Sequence, residues 1–421
     1  MRNRIYLCLA HMSGKEMEYI QEAFDSNWVV PMGPNVNAFE KDLETFVNRS
    51  ENGTETHREV VCLSSGTAAL HLALIGCGVG PGDEVLVQSF TFCASSNPVT
   101  YLGATPIFVD SEPRSWNIDP KLLEEAITDR IAKTGKKPKA IIPVALYGMP
   151  YDVSQIMEIS ERYDIPVIED AAEGLGSRFE GRMLGTFGRY GVLSFNGNKM
   201  ITTSGGGALI CHDDEAKKEI LFYATQAREG YPYYHHEKIG YNYRMSNICA
   251  GIGRGQMHVI EDHIAHHRRV QQLYKALLAD VEGIEVHDNP NEKYNSNFWL
   301  CVITIDPGLK IKGQENAYLV SVDKTVGGAQ NVTHKALTSE TDCQPNDNVE
   351  ALRKILDMAE IEARPLWKPM HCQPVYRDMS RYVNGVSERL FHIGLCLPSG
   401  PCVTEDDVNY IVDTIKSAIV R

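Results

Sequence analysis

Residues 194–210 read SFNGNKMITTSGGGALI and place a single lysine, Lys199, between two apolar segments. The segment before the lysine, GVLSF, and the one after it, GGALIC, each have the length and apolar character of a buried strand. A lysine in a short Asn-Gly-Asn turn between two such strands is poorly explained as a solvated surface charge. Lysine is nearly the only side chain that forms a Schiff base with an aldehyde, and the glycines at 205–207 would let backbone pack closely beside a ligand. The stretch therefore predicts two strands of an α/β sheet, joined by a loop that carries a reactive lysine.

Outward from this stretch, short apolar runs alternate with helical patterns from residue 60 onward. Helical patterns over 120–133 and 153–163 are long enough for right-handed crossovers between parallel strands. The alternation predicts a large α/β domain with a mostly parallel central sheet. Its predicted strands are VVCLSS, EVLVQS, TPIFVD, KAIIPVAL, PVIEDA, GVLSF and GGALIC.

The remainder of the chain predicts a second, smaller domain. Residues 256–281 contain no Gly or Pro and predict a long helix that leaves the large domain. We therefore divide the chain into an N-terminal arm and large ligand-binding α/β domain, 1–255, and a linking helix and small α+β domain, 256–421. The second part ends in an amphipathic helix over 405–420. No role is predicted for the polar segment 306–348.

Composition excludes several classes of protein. The net charge of -14 over 421 residues argues against nucleic acid as a partner, because phosphate backbones are bound through an excess of Lys and Arg. No apolar run is long enough for a membrane span and no signal peptide is evident, so a cytoplasmic protein is expected. The 11 cysteines are scattered, as in a reducing compartment. His371 next to Cys372 lacks a second ligand pair, and no metal is predicted.

Two further motifs follow predicted strands, where open α/β sheets bind ligands. In SSGTAAL, residues 64–70, Gly66 would let backbone approach a ligand, and Thr67 with the free N–H groups of a helix start could hold a phosphate. A simple capped helix is the alternative. In FTFCASSN, residues 90–97, Phe92 could lie flat on a ring, or could be an ordinary core residue.

A third motif, VIEDAAE, sets Glu169 and Asp170 directly after an apolar strand. A carboxylate buried at this edge needs a partner, and a protonated pyridine nitrogen would be one. At about 4 Å and an effective dielectric near 20, the attraction is roughly 4 kcal/mol, which keeps such a ring protonated. A carboxylate that caps the next helix is the alternative. The motif GYNYRMSN, residues 240–247, receives no role from its residues alone.

In this order and at this spacing, the motifs resemble those of the DegT/DnrJ/EryC1/StrS family of sugar-nucleotide aminotransferases, within fold type I of the pyridoxal-phosphate enzymes. Two later segments, RPLWKPMHCQPVY at 364–376 and LCLPSG at 395–400, resemble the branch that makes UDP-4-amino-4,6-dideoxy-N-acetylhexosamines. The resemblance implies transfer of an amino group, from glutamate, to a UDP-linked 4-keto-6-deoxy sugar in surface-glycan biosynthesis.

The resemblance also implies roles for individual residues. Lys199 would hold pyridoxal phosphate and move the proton during transfer, and Asp170 would pair with the pyridine nitrogen. Phe92 would stack on the ring. Thr67, the Ala68 backbone and Ser194 would bind the cofactor phosphate, and Asn242 would reach the same phosphate from a second subunit, which implies a homodimer with shared sites. Glu173 would lie near the cofactor hydroxyl, where many members have Gln or His. The full set assigned to cofactor binding is Gly66, Thr67, Ala68, Phe92, Asp170, Glu173, Ser194, Asn196, Lys199 and Asn242.

Three alternatives compete with this interpretation. A sugar dehydratase of the same family typically has His at the lysine position, so Lys199 argues against it. A non-catalytic regulatory protein that kept the fold would be marked by loss of Lys199 or Asp170, and both are present. A nicotinamide-binding protein is disfavoured because no GxGxxG follows the first strand.

Overall fold

The structure is a computed structural model that describes residues 2–51, 53, 56–318 and 343–420. Its α-helices vary from single turns to long amphipathic segments. In chain order they are α1 Glu16–Asp25, α2 Pro34–Val47, α3 Gly66–Gly76, α4 Asn97–Tyr101, α5 Pro120–Thr134, α6 Val153–Tyr163, α7 Asp214–Ala224, α8 Asn247–Met257, α9 Ile260–Leu278, α10 Asp347–Met358, α11 Val386–Ile393 and α12 Glu405–Ala418. No helix in these ranges is long and apolar enough to cross a membrane.

The strands are short, and each predicted run overlaps one of them. In chain order they are β1 Glu59–Leu63, β2 Glu84–Gln88, β3 Thr105–Val109, β4 Ala140–Ile142, β5 Ile168–Asp170, β6 Arg178–Phe179, β7 Arg182–Met183, β8 Tyr190–Ser194, β9 Gly207–Cys211, β10 Ile284–Val286, β11 Tyr294–Asn295, β12 Cys301–Ile305, β13 Arg364–Pro365, β14 Arg381–Tyr382 and β15 Gly394–Leu397.

The large sheet has the order β1-β9-β8-β5-β4-β2-β3-β14. Two parallel bridges, Ile141 with Val167 and Val144 with Asp170, join the β5 side to the β4 side. Among the strands of this sheet, β9 alone runs in the opposite direction to the rest, which confirms the mostly parallel sheet. Because β9 follows β8 after the loop that holds Lys199, this antiparallel strand lies beside the predicted site.

Both faces of the large sheet are buried, as a parallel sheet requires. Val60 and Cys62 of β1 belong to one apolar core, while Val61 and Leu63 belong to the core on the other face. A third core lies in the C-terminal part, between α9, α10, α12 and the antiparallel sheet β10-β12-β15-β13. The polar ends of the strands are therefore left at the sheet edge, where a ligand can be bound. The division at residue 255 stays a prediction.

The linking helix differs from its prediction over 256–281. The structure has α8 ending at Met257 and α9 beginning at Ile260, with Val259 between them at φ -120° and ψ 5°. The break follows from packing: a Cβ added to Gly255 would lie 2.8 Å from Glu16, so α8 is held tightly against α1. The predicted continuous helix was wrong, because the segment contains no helix-breaking residue that would have indicated the break at Val259. Within the polar segment 306–348, residues 319–342 lie outside the described residues.

Candidate active site

A cavity of about 330 Å³ opens at the carboxyl ends of β1, β5 and β8. Most of the predicted site residues come together around it, although they lie on separate elements. Those that line it are Gly66, Thr67, Phe92, Asp170, Glu173, Ser194, Asn196 and Lys199. Ala68 and Asn242 do not line it, and their predicted roles are considered below.

Lys199 lies in the loop between β8 and β9 and extends into this cavity. Its Nζ is 3.3 Å from Oε1 of Glu173 and 4.0 Å from the centre of the Trp299 ring. Trp299 is held in turn, because its indole N–H donates to the carbonyl of Asn198 at 2.6 Å. Only 14% of the lysine side chain is exposed, so the amine is positioned by protein groups and not by bulk water.

Asp170 ends β5 and is buried with its carboxylate at the cavity. The Ser95 hydroxyl donates to its Oδ2 at 2.6 Å, and the Ala172 N–H donates to its Oδ1 at 3.2 Å. Burial raises the pKa of Asp170, while these two donors and Lys199 act in the opposite direction. A cation bound in the cavity would stabilise the ionised form further.

Glu169 occupies the opposite face of β5, since neighbouring side chains on a strand alternate. Its two carboxylate oxygens accept backbone N–H groups from Gly185 at 2.9 Å, Phe187 at 2.6 Å and Gly188 at 2.7 Å. Burial raises its pKa against the effect of these donors. Of the two acidic residues that the sequence placed here, Asp170 is therefore the one that lines the cavity.

Glu173 is held between the lysine and the backbone. Its Oε2 accepts the N–H of Tyr147 at 2.7 Å, and its Oε1 faces Lys199. Burial raises the pKa of Glu173, and the charge of Lys199 lowers it in part. Tyr147 adopts φ 54°, a conformation that costs energy in a residue other than glycine. Its hydroxyl accepts the N–H of Trp367 at 2.8 Å, which connects Glu173 to another wall of the cavity.

The start of α3 forms the anion-binding end of the cavity. Ser65 caps the helix by accepting the Ala68 N–H at 3.0 Å, so this N–H, predicted to bind phosphate, is engaged within the protein. The N–H groups of Gly66 and Thr67 open the helix at the cavity, where the helix dipole favours an anion. A Cβ on Gly66 would lie 3.2 Å from that of Ser194, which brings Ser194 to the same end.

The glycines after Lys199 permit close packing, as the sequence predicted. A Cβ on Gly207 would lie 2.4 Å from the backbone nitrogen of Gly66, and one on Gly206 would lie 2.2 Å from Thr203 Oγ1. A side chain at Gly207 would push the loop away from the start of α3, and one at Gly206 would collide with Thr203 of the loop itself. The lysine loop therefore approaches the anion-binding end because Gly207 lacks a side chain.

Aromatic rings form the remaining wall. Phe92 is 51% exposed, and its ring centre is 5.4 Å from that of Trp367. Sequence reasoning did not single out Trp299, Trp367 or Ser95 as site residues. Trp367 lay within a segment noted for its resemblance, and Ser95 lay within the motif FTFCASSN, of which only Phe92 was considered. Trp299 lies in a loop without a distinguishing local pattern.

Asn242 lies on the surface, outside the cavity, in a backbone bridge with Thr225. Its predicted target is the cofactor phosphate of another subunit. Its contribution to a partner's site stays a prediction.

The cavity fits pyridoxal phosphate in the charge and the chemistry of its lining groups. A helix start and Ser194 offer donors to a phosphate, the buried Asp170 carboxylate offers a partner to a protonated ring nitrogen, and Lys199 offers an amine to an aldehyde. Phe92 lines the same cavity. The arrangement is suited to holding a flat anionic aldehyde and breaking a bond next to an amine.

Comparisons with known proteins agree with this chemistry. A sequence model of the DegT/DnrJ/EryC1/StrS aminotransferase family matches residues 11–321 and 311–416. EpsN from Bacillus subtilis (strain 168), named for pyridoxal phosphate-dependent aminotransferase activity, is 40% identical over 99% of this chain and 96% of its own length. GDP-perosamine synthase from Escherichia coli O157:H7 is 33% identical over 96% of each chain.

A solved structure shows that the likeness extends to the fold. The DegT DnrJ EryC1 StrS aminotransferase from Brucella abortus superposes with a TM-score of 0.80 and 27% identity, covering 96% of this chain and 95% of that one. The similarity therefore includes both the large sheet and the C-terminal part.

Proposed function

The chain belongs to the DegT/DnrJ/EryC1/StrS aminotransferase family, and from this premise we propose that it transfers an amino group from glutamate to a nucleotide-linked 4-keto-6-deoxy sugar. Family membership confirms the predicted fold type I architecture, the aminotransferase class and the pyridoxal phosphate cofactor. The observation that carries the proposal is the placement of Lys199, Asp170 and the start of α3 around one cavity.

Different residues of the cavity would have different roles in the reaction. When bound, pyridoxal phosphate supplies an aldehyde that links covalently to amines and a ring that stores the electron pair released when a carbon–hydrogen bond breaks. Asp170, oriented by Ser95, would hold the proton on the ring nitrogen. Lys199 would anchor the cofactor and then move a proton at the reacting carbon. Glu173, 3.3 Å from the lysine amine, would orient that amine when it is not covalently occupied.

The acceptor is proposed to be a UDP-linked sugar. This follows from the likeness of segments 364–376 and 395–400 to the UDP-4-amino-4,6-dideoxy-N-acetylhexosamine branch, and Trp367 of the first segment lines the cavity. A GDP-linked sugar is the second candidate, because the similarity to GDP-perosamine synthase extends over nearly the whole chain. In both cases the product would be an amino sugar suited to surface glycans.

The experiment compares keto sugars that differ only in the nucleotide. Purified protein loaded with pyridoxal phosphate is incubated with glutamate and with 4-keto-6-deoxy sugars linked to UDP, GDP or dTDP. Mass spectrometry measures the amino sugar, and a coupled assay measures 2-oxoglutarate in equal amount. Highest kcat/KM with the UDP sugar is expected. A higher kcat/KM with the GDP sugar would identify a GDP-linked acceptor instead. If none of the three keto sugars were converted to an amino sugar, the proposed function would be contradicted.

We also propose that two copies of the chain share their sites through Asn242. Its position outside the cavity of its own chain, on a surface strand segment beside Thr225, leaves it available to a neighbour. The subunit-mixing experiment described in the Discussion tests this arrangement.

A further inference from the structure

A second cluster of reactive side chains lies outside the active-site cavity. His371 and Cys372 belong to a 3-10 turn, Met370–Cys372, and Glu388 lies in the first turn of α11. One possible ligand atom from each of these three residues lies within 4.8 Å of the others. Within the group, His371 Nε2 lies 3.0 Å from Glu388 Oε1. None of the three residues lines the active-site cavity.

Cys343, from an earlier segment of the C-terminal part, would supply a fourth ligand. Its thiol is hydrogen-bonded to the Cys372 side chain, which places the two sulfurs in contact. Both cysteines are free thiols that are partly buried. The cluster therefore contains two sulfurs, one imidazole and one carboxylate, which supplies the second ligand pair that the sequence alone did not give to His371 and Cys372.

The surroundings orient the histidine as a ligand. The Ser89 hydroxyl lies 2.6 Å from His371 Nδ1, and Ser89 is fully buried at the end of β2. With Nδ1 held by this hydroxyl, Nε2 is the ring nitrogen that faces the cluster. Metal-binding histidines are typically fixed in this way through their other nitrogen.

The charges of the cluster match a divalent ion. Two thiolates and a carboxylate would carry three negative charges, and a divalent ion would leave one. The Arg381 guanidinium donates to the His371 carbonyl at 3.4 Å. This cation would offset the remaining negative charge.

We propose that Cys343, His371, Cys372 and Glu388 bind one Zn²⁺ ion. Thiolate and imidazole ligands select zinc over magnesium or calcium, and four protein ligands correspond to a closed structural site. On binding, both thiols would release their protons to solvent and no electron would be transferred. The ion would fix the start of α11 to the segment that carries Trp367, and so would stabilise one wall of the cavity without taking part in the reaction.

The test measures zinc in the intact holoenzyme. Protein loaded with pyridoxal phosphate is incubated with Zn²⁺, freed of excess metal by dialysis, and analysed by elemental mass spectrometry. We expect about one zinc per chain, and less than about a tenth of that in Cys343→Ser and in Cys372→Ser. Cys402→Ser is the matched control, because Cys402 is a free thiol outside the cluster, and it should keep the metal.

A fourth variant separates metal binding from a merely structural role. Ser89→Ala keeps all four ligands but removes the group that orients His371, and should weaken zinc affinity about 10- to 100-fold. The cofactor absorbance of each variant confirms that it is folded. The proposal would be overturned if wild-type holoenzyme retained no zinc, if the two cysteine variants retained it like the wild type, or if Cys343 and Cys372 were joined by a disulfide.

Discussion

Glu169 and Asp170 are neighbours in sequence but serve two different regions on the two faces of β5. Glu169 faces a rear pocket, formed by the backbone N–H groups of residues 185–188, in which three donors bind its carboxylate. Asp170 faces the cavity and receives one hydroxyl and one N–H from the protein. Burial raises the pKa of both carboxyl groups.

The difference distinguishes a structural carboxylate from a binding one. In the rear pocket, the protein itself supplies the donors that a buried carboxylate needs. In the cavity, Asp170 shares its surroundings with Lys199 and retains capacity for a cationic ligand. We therefore expect changes in the cavity to affect cofactor chemistry, and changes in the rear pocket to affect folding.

The largest expected effect in the cavity comes from Lys199→Ala. Turnover should fall by at least about 100-fold, because the variant loses both the covalent anchor and the proton carrier. Circular dichroism should match the wild type, and the measurement is kcat with the best acceptor sugar. Lys136→Ala, at an exposed lysine, is the control and should keep full activity. Residual activity above about one per cent in Lys199→Ala would contradict the assignment.

The next prediction compares one variant on each face of β5. Asp170→Asn removes a charge pair worth roughly 4 kcal/mol and should slow the half-reaction with glutamate by about 100- to 1,000-fold, with little change in unfolding. Glu169→Gln should do the reverse. It leaves buried N–H donors poorly paired and should lower the free energy of unfolding by about 1–3 kcal/mol, while the folded protein keeps its rate.

Stopped-flow absorbance measures the half-reaction, and urea denaturation measures the unfolding. If Glu169→Gln slowed the chemistry and Asp170→Asn did not, the roles of the two faces would be reversed.

A third prediction concerns the boundary of the cavity with a second subunit. Asn242→Asp would present a negative charge to the partner's cofactor phosphate, which should cost several kcal/mol and inactivate the homodimer. Co-expression with Lys199→Ala should restore up to half of the normal activity per mixed dimer, since one site then combines an intact Lys199 with an intact Asn242. Differently tagged subunits isolate the mixed dimers. If isolated mixed dimers regained no activity, the phosphate contact would lie within one chain.

The smallest expected effect comes from Ser95→Ala. The Ser95 hydroxyl donates to Asp170 at 2.6 Å, and loss of a hydrogen bond to a charged group costs about 1.5–3 kcal/mol. The half-reaction should slow by about 10- to 100-fold, and Ser95→Thr should restore part of the rate because it keeps a hydroxyl. Cys93→Ser is the control, because Cys93 belongs to the same 3-10 turn but does not itself line the cavity. Equal rates in Ser95→Ala and the wild type would show that Asp170 needs no such support.

The sequence predicted the large sheet well, because its strands are short apolar runs bounded by polar loops. It also placed Lys199, Asp170 and Thr67 at strand ends, and the topology of a parallel sheet then brings such residues together. It did not predict the break at Val259, which results from the packing of glycines in α8 against α1. Nor did it find Trp299, since the contacts of this residue with Lys199 and Asn198 join segments about a hundred positions apart.

Locating the covalent link between the protein and the cofactor tests whether Lys199 holds pyridoxal phosphate. Purified protein loaded with pyridoxal phosphate should absorb near the edge of the visible range, and borohydride should abolish that band and fix the cofactor to its lysine. After proteolysis, tandem mass spectrometry identifies the modified residue. We expect the reduced cofactor on Lys199 alone, and in Asp170→Asn on the same residue at lower occupancy. Recovery of the cofactor on a different lysine, or on none, would contradict this expectation.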